Sequence, residues 1–467
     1  MVMKMPSIFV KNARFLVTID QTRRIIRDGS IAIDDGKIID IGKTDKLQNN
    51  YGSSEIIIDA ARHVIMPGLI NTHCHTNHHL ARGLADNVLF PTWIHERVYP
   101  FESTMNEHDV YLAAMACCIE SIKTGSTCFI DPGGYNMEHA VKAVDESGMR
   151  AVLSRSAVDI HSDARAIPGK MREDTDNAAN SSEQFVREYN GAAGGRVHAW
   201  FAPRTERMAS TELLQRIKEL AVKYETGITI HASSTQDSVL RHKEVFNGER
   251  PIERFNRAGL LGQNLLVGEA NWLTDEEVSL IQKYDVKVFH IPTGSFHGAY
   301  GALQSKHLDM IKKGIAVGLG HDSAAESNFL DMFRVMYSVI ARRDVNLDPT
   351  LVPPEQILEM ATINGARTAL WENEIGSLEP GKRADLIIID TMRPEWLPLH
   401  NPISNLVHSA SGDSVSTVII DGKVVMRDRI INTVDEQKML MQIDEAGLSI
   451  SERSGVSRYA IPRWPIS

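Results

Sequence analysis

The rhythm of apolar and polar positions changes twice along the chain. From residue 7 to about 60 the apolar runs are short and strand-like: Ile8-Phe9-Val10, Arg14-Phe15-Leu16-Val17 and Gly29-Ser30-Ile31-Ala32-Ile33. Asp35-Gly36 is a hairpin-turn signal, and Lys37-Ile38-Ile39-Asp40-Ile41-Gly42 follows it. The same texture returns near the other end, in Ala384-Asp385-Leu386-Ile387-Ile388-Ile389-Asp390 and Val415-Ser416-Thr417-Val418-Ile419-Ile420, then the turn Asp421-Gly422 and Lys423-Val424-Val425. Strands at both ends predict one small β-sandwich domain, residues 1–62 with 371–467, into which residues 63–370 are inserted.

Within the insert, apolar strand-like runs alternate with helical stretches. The strand candidates are Ile65–Asn71, Ser126–Asp131, Arg150–Ser156, Val197–Ala202, Gly227–His231, Leu265–Gly268, Val286–His290 and Ile315–Gly320. Helices fit between them at His108–Lys123, Met137–Ser147, Glu183–Tyr189, Ser210–Tyr224, Asp275–Lys283 and Leu303–Lys313. Such alternation predicts an α/β fold with a parallel sheet, and eight units predict a (β/α)8 TIM-like barrel. An open doubly wound sheet would show a Gly-rich phosphate turn after its first strand, and this chain has none there. Residues 161–195 are polar and turn-rich and read as a solvated surface loop, with a mobile lid as the other reading.

Composition narrows the class. The 467 residues are 43% hydrophobic, ordinary for a globular protein, and the formal net charge of −10 offers no basic excess for a nucleic acid partner. Met1 to Pro6 lacks the apolar core of a signal peptide, and no apolar run reaches membrane-spanning length. The four cysteines, Cys74, Cys117, Cys118 and Cys128, form no Cys-x-x-Cys pair, which suits a reducing, cytoplasmic setting without disulfides.

Chemistry in such barrels sits at the C-terminal ends of the strands. The first strand closes on His73-Cys74-His75, where period-two alternation aims both imidazoles at one point and Cys74 away. The other strands close on Asp131, Arg204, His231, Glu269, His290 and His321-Asp322. Singly, each suits a loop hydrogen bond or a helix cap, and Asp131 before Pro132-Gly133-Gly134 is taken as structural. Together, His73, His75, His231 and Asp322, at the ends of the first, fifth and eighth strands, make a divalent-metal set.

These motifs resemble the amidohydrolase superfamily, in the branch holding deaminases of nucleobases and adenosyl compounds together with triazine chlorohydrolases. The resemblance covers nearly the whole chain. Its markers are Pro67-Gly68-Leu69-Ile70-Asn71-Thr72-His73-Cys74-His75, Arg82-Gly83, Gly318-Leu319-Gly320-His321-Asp322-Ser323, Asn364-Gly365-Ala366-Arg367 and Ile375-Gly376-Ser377-Leu378-Glu379-Pro380-Gly381-Lys382-Arg383-Ala384-Asp385-Leu386. It implies the barrel with a two-ended β-sandwich and one metal ion on His73, His75, His231 and Asp322. It also exposes three departures. Ser234 stands where family deaminases carry a Glu that protonates a ring nitrogen, Glu269 where they carry a His at the end of the sixth strand, and Arg204 where a His is common. The ligands survive while the proton-handling groups are exchanged.

The mechanism expected from these residues starts with a divalent ion that turns bound water into a metal-bound hydroxide nucleophile. Asp322 both ligates and accepts the water proton. Glu269 protonates the leaving nitrogen, the competing role being a further metal ligand. Arg204 either holds an oxyanion or carboxyl group of the substrate or pairs with Glu206. His79, Trp93, His290 and Ser234 are expected on the substrate side. The leading function is hydrolysis of an amide-like C–N bond (amide, urea, carbamate or thiocarbamate) in a small neutral molecule. The alternative is a deaminase or chlorohydrolase of an N-heterocycle, and a non-catalytic scaffold is the third reading. Zinc is the expected ion, with iron, cobalt and manganese open. The expected partners are a small-molecule substrate and further copies of the chain as a homodimer or larger oligomer, with no nucleic acid and no membrane. The segment Ser451 to Ser467, with Tyr459 and Trp464, either packs on a neighbouring copy or folds back.

Overall fold

The structure, a computed structural model, describes residues 6–163, 165–461 and 464. Part of the Met1–Pro6 stretch, Ala164 in the 161–195 segment and most of the last six residues lie outside the described residues.

Eight parallel strands form the barrel: β1 Leu69–Asn71, β2 Ser126–Ile130, β3 Arg150–Ala157, β4 Val197–Pro203, β5 Ile228–Ala232, β6 Leu265–Glu269, β7 Lys287–His290 and β8 Val317–Leu319. They neighbour one another in chain order. The ring closes where Thr72 N donates to Leu319 O at 2.8 Å and Asp322 N donates to His73 O at 3.1 Å. Nearly every residue in these strands is buried, since helices cover the outer face and side chains fill the inside. The helix Thr211–Lys223 shows how the outer layer is encoded. Ser210 caps it by accepting from Leu213 N, and Leu213, Leu214, Ile217 and Ala221 bury one stripe against the sheet.

Both chain ends build a separate β-sandwich. Its four-stranded sheet holds Ile8–Ala13, Gly29–Asp34, Lys37–Lys43 and Ile56–Asp59. The seven-stranded sheet joins N-terminal strands to Leu386–Asp390, Val415–Ile420 and Lys423–Arg427. Val10, Ile31, Leu16, Ile65, Leu386, Ile388 and Ile419 are buried in one cluster between the two sheets.

Two expectations are corrected. The run Ile65–Asn71 is not one strand. His63–Pro67 pairs with Leu386–Asp390 in the sandwich, and only Leu69–Asn71 enters the barrel. Gly68 lies at the break and no side chain fits there, because a Cβ would fall 2.0 Å from Thr127 Oγ1. The second half of the 161–195 segment is not a loop either. Thr175–Tyr189 is helical, capped by Asp174, and buries Ala178, Ala179, Ser182, Phe185 and Val186. Three of those five are small, so the stripe is faint in sequence. All four cysteines are buried and free. Among the described residues, no helix is long and apolar enough to cross a membrane.

Candidate functional site

The β1 and β5 ends bring His73, His75 and His231 together, and the turn after β8 adds Asp322. His231 Nε2 lies 3.2 Å from His73 Nε2 and 3.3 Å from His75 Nε2. Two nitrogens bound to one tetrahedral zinc at 2.0–2.1 Å stand about 3.3 Å apart, so the spacing is that of a ligand edge. Asp322 Oδ1 lies 3.9 and 3.8 Å from the nitrogens of His73 and His75 and has no hydrogen-bond partner. Burial, and then the neighbouring imidazoles, hold His73 and His75 well below the usual histidine range. Burial lowers His231 to about 4. All three therefore present neutral lone pairs. His231 Nδ1 is held 2.7 Å from the Arg204 carbonyl, which leaves Nε2 free to ligate. The residues present thus fit a divalent cation.

Local backbone supports this convergence. Gly320 packs so closely on β1 that a Cβ would fall 2.8 Å from His73 N. Glu269 and Asp322 take φ of 60° and 68°, left-handed values that non-glycine residues rarely adopt, and such outliers cluster at functional sites. Glu269 is buried beside Asp322. Burial and then the Asp322 charge push its carboxyl up to about 8. A cation at the imidazoles opposes that shift. Ser234 acts the other way through its hydrogen bond to Glu269.

Around this centre lies a cavity of about 50 Å³ of free space, whose aromatic lining is Phe90, Trp93, Tyr99 and Tyr300. That is room for a few waters or the head group of a small molecule. Trp93 sits in a π-helical turn, Trp93–Val98, and its Nε1 donates to Ala325 O at 3.1 Å.

Arg204 reaches this cavity, yet its partner is neither of those expected. It pairs bidentately with Glu102, Nη2 to Oε2 at 2.6 Å and Nη1 to Oε1 at 3.2 Å, while Glu206 pairs with Arg207. Burial opposes the Glu102 charge, but Arg204 and His78 outweigh it and bring that carboxyl down to about 2. His79 does not line the cavity. It faces Glu120 at 3.2 Å, with Arg82 on the same carboxylate, in a separate groove against the helix Glu436–Arg453. Its neighbour His78 is the residue at the cavity, stacked on His75 with ring centroids 4.6 Å apart. His290 lies behind the wall, 4.0 Å from the His307 ring, and His307 Nε2 is 2.8 Å from the Glu269 carbonyl. Asp131 accepts from Thr76 N at 3.0 Å and Gly133 N at 2.9 Å, a turn-closing role.

Sequence reasoning missed Glu102, Tyr99 and Tyr300, which come from connections with no motif.

Comparison with known proteins gives the chain its relatives. The profile described as "Amidohydrolase family" matches residues 64–425. The 5'-deoxyadenosine deaminase of Methanosarcina mazei is 33% identical over 450 residues, covering 96% of this chain and 99% of the relative. The 5-methylthioadenosine/S-adenosylhomocysteine deaminase of Pelotomaculum thermopropionicum is 34% identical over 450 residues, covering 96% and 100%. Among solved structures, an adenosine deaminase from Xanthomonas campestris with bound zinc superposes with a TM-score of 0.87 at 23% identity, covering 96% of this chain and 99% of the other. A triazine hydrolase from Arthrobacter aurescens gives 0.85 at 20% identity, covering 94% and 99%. At those identities the two structures speak for the fold alone.

Proposed function

The chain belongs to the amidohydrolase family, and from that premise we propose that it hydrolyses an amide-like C–N bond of a small molecule at the centre formed by His73, His75, His231 and Asp322. The carrying observation is the meeting of three neutral imidazole nitrogens, 3.2–3.3 Å from one another about His231, beside a buried Glu269. A divalent ion held there, zinc by preference for imidazole and carboxylate donors, would lower the pKa of water toward neutrality and polarise the substrate. The chain supplies the rest. Asp322 accepts the proton that the water loses. Glu269, whose carboxyl burial pushes upward, stands beside Asp322 where it can hand a proton to the leaving nitrogen. The Arg204–Glu102 pair stacks on Tyr99 at 5.0 Å and forms a stiff wall that excludes water. The small cavity favours a compact substrate.

A second reading, deamination of an adenine nucleoside, is favoured by the names of the relatives that are 33–34% identical over 96% of this chain. It requires the cavity to open, and the segment Phe90–Val98 is the wall that would have to move.

Metal analysis with a screen of amides, ureas, carbamates and aminated heterocycles separates these readings. Release of ammonia from a nucleoside supports deamination, and cleavage of an amide or urea supports the leading one. Glu269→Gln should keep its metal and lose about 10²–10⁴ in kcat, the usual worth of a general acid. Metal loss in that variant would make Glu269 a ligand instead. A protein that binds no divalent ion at His73, His75 and His231 overturns the proposal.

A further inference from the structure

We infer that the segment Phe90–Val98 is a gate to the metal cavity, and that Tyr459 is a positioning residue which latches it shut through Arg97; the inference rests on the reading above that His73, His75, His231 and Asp322 hold a divalent ion. The centre lies behind its walls. His73, His75 and Asp322 are 0%, 7% and 5% exposed, and the free space beside them takes only a few waters. A substrate or an ion therefore enters only where a wall moves. Most of the lining follows directly on barrel strands, but Phe90, Trp93 and Ile94 belong to a connection between β1 and the helix Glu107–Lys123. That connection is thin. Phe90, Ile94, Arg207 and Ser238 line the cavity on one side and an outer cleft on the other. Its middle, Trp93–Val98, is a π-helical turn, a rare form frequent at functional sites.

Glu96 and Arg97 do not line the cavity, and each is gripped by an element beyond the segment. Glu96 accepts from Arg165 at 2.7 Å, but both side chains are more than a third exposed, and such pairs contribute little. Arg97 is the stronger hold. Its guanidinium carbon lies over the Tyr459 ring, 2.9 Å from the centroid, and its Nε and Nη1 are buried with no hydrogen-bond partner. The ring face is thus what meets the charge. Tyr459 is itself anchored. It ends the turn Ser457–Tyr459, and Arg458 Nη2 donates to its hydroxyl at 2.8 Å. Just before that turn, Arg453 donates to Asp109 Oδ2 at 2.7 Å and ties the helix Glu436–Arg453 to the helix Glu107–Lys123. The latch is therefore fixed to the body of the molecule. Ile450 and Val456 share an apolar cluster with Trp93, Ile94 and Val98. Apolar contacts are non-directional, so these let the wall shift, while the cation–ring contact fixes its place.

The test follows zinc and amide exchange in the native chain, Tyr459→Ala and Tyr459→Phe. Zinc extraction by 4-(2-pyridylazo)resorcinol and reloading of the stripped protein should both be faster in Tyr459→Ala by about threefold to thirtyfold, the worth of a cation–π contact, with the equilibrium zinc affinity unchanged. Amides of residues 90–98 should exchange with deuterium faster by the same factor, and those of β2 should not. Tyr459→Phe keeps the ring face and should behave as the native chain; behaviour like that of Tyr459→Ala overturns the role given to the ring. Weaker zinc affinity in Tyr459→Ala would mean damage to the ligands rather than an opened gate, and it overturns the latch, as do exchange rates equal to the native ones. In the native chain the amides of residues 90–98 should exchange before those of the helix Glu107–Lys123, and equal protection overturns the gate even if no variant folds. In each of these cases the metal reading stands. A native chain that takes up no zinc ends that reading and this inference with it.

Discussion

Glu102 and Arg204 are 102 positions apart and meet as a fully buried ion pair at the cavity wall. No spacing rule joins them, which is why Arg204 was legible as a strand-end residue and its partner was not. Glu102 has an ordinary value near 4.5 and falls to about 2 in the folded chain. The folded protein thus binds fewer protons than the unfolded chain over that window. The stability Glu102 contributes is complete above about 4.5 and is lost as the pH falls toward 2, up to about 3 kcal/mol. Denaturant unfolding followed downward from pH 5 should show this loss in the native chain. In Glu102→Gln, which starts less stable because Arg204 is left unpaired, the same acid limb should be flatter. Parallel limbs would remove Glu102 as the source. The histidines divide in the same way. His73, His75 and His231 could be read because strand alternation fixes direction. His79 could not, because the turn Thr76–Ala81 rotates His78 rather than its neighbour toward the cavity.

At the scale of elements, the strands were legible where short apolar runs end in a polar residue. Leu265–Glu269 and Lys287–His290 sit within a residue or two of their expected bounds. The helix Thr175–Tyr189 was only half legible because Ala178, Ala179 and Ser182 carry little hydrophobic signal. Contacts between elements were not legible at all. Gly320, in the turn after β8, reads as a marker in sequence, and its physical task is to let the β1 backbone come close. A Cβ there would also fall 3.0 Å from the His73 carbonyl oxygen. Gly320→Ala should therefore displace His73 and weaken metal binding by about 10–100-fold, as loss of support around a ligand does elsewhere. Metal titration monitored alongside far-UV circular dichroism checks this; unaltered affinity in a folded variant counts against the role given to Gly320.

For the molecule as a whole, the barrel and the sandwich are fastened by a buried pair. Arg150, at the start of β3, donates to Asp385 through Nε at 2.7 Å and Nη2 at 3.0 Å, and Asp385 also accepts from Asp421 N at 2.8 Å. The Arg150 side chain is 1% exposed and that of Asp385 2%. Arg150→Met leaves a buried carboxylate without its cation and should destabilise the chain by about 3–5 kcal/mol. Arg150→Met with Asp385→Leu should regain part of that loss, since an apolar pair of similar volume often replaces a buried ion pair at little cost. Equilibrium unfolding of the single and double variants measures both. The two-ended sandwich itself was foreseeable from the matching β texture of the termini. The fastening pair was not, because it depends on which barrel strand begins beneath which sandwich strand.

Gly68 separates the last residue of a sandwich strand, Pro67, from the first residue of β1, Leu69. The imidazoles at 73 and 75 therefore inherit their aim from pairing in a different part of the molecule, where Met66 lies opposite Ile387. Because neighbouring side chains on a strand face opposite ways, a slip of one position transmitted through this junction would swing both rings outward and turn Cys74 inward. The sandwich thus serves as the datum from which the catalytic end of the barrel is indexed, and injury to it should be read first in how faithfully the cation is held.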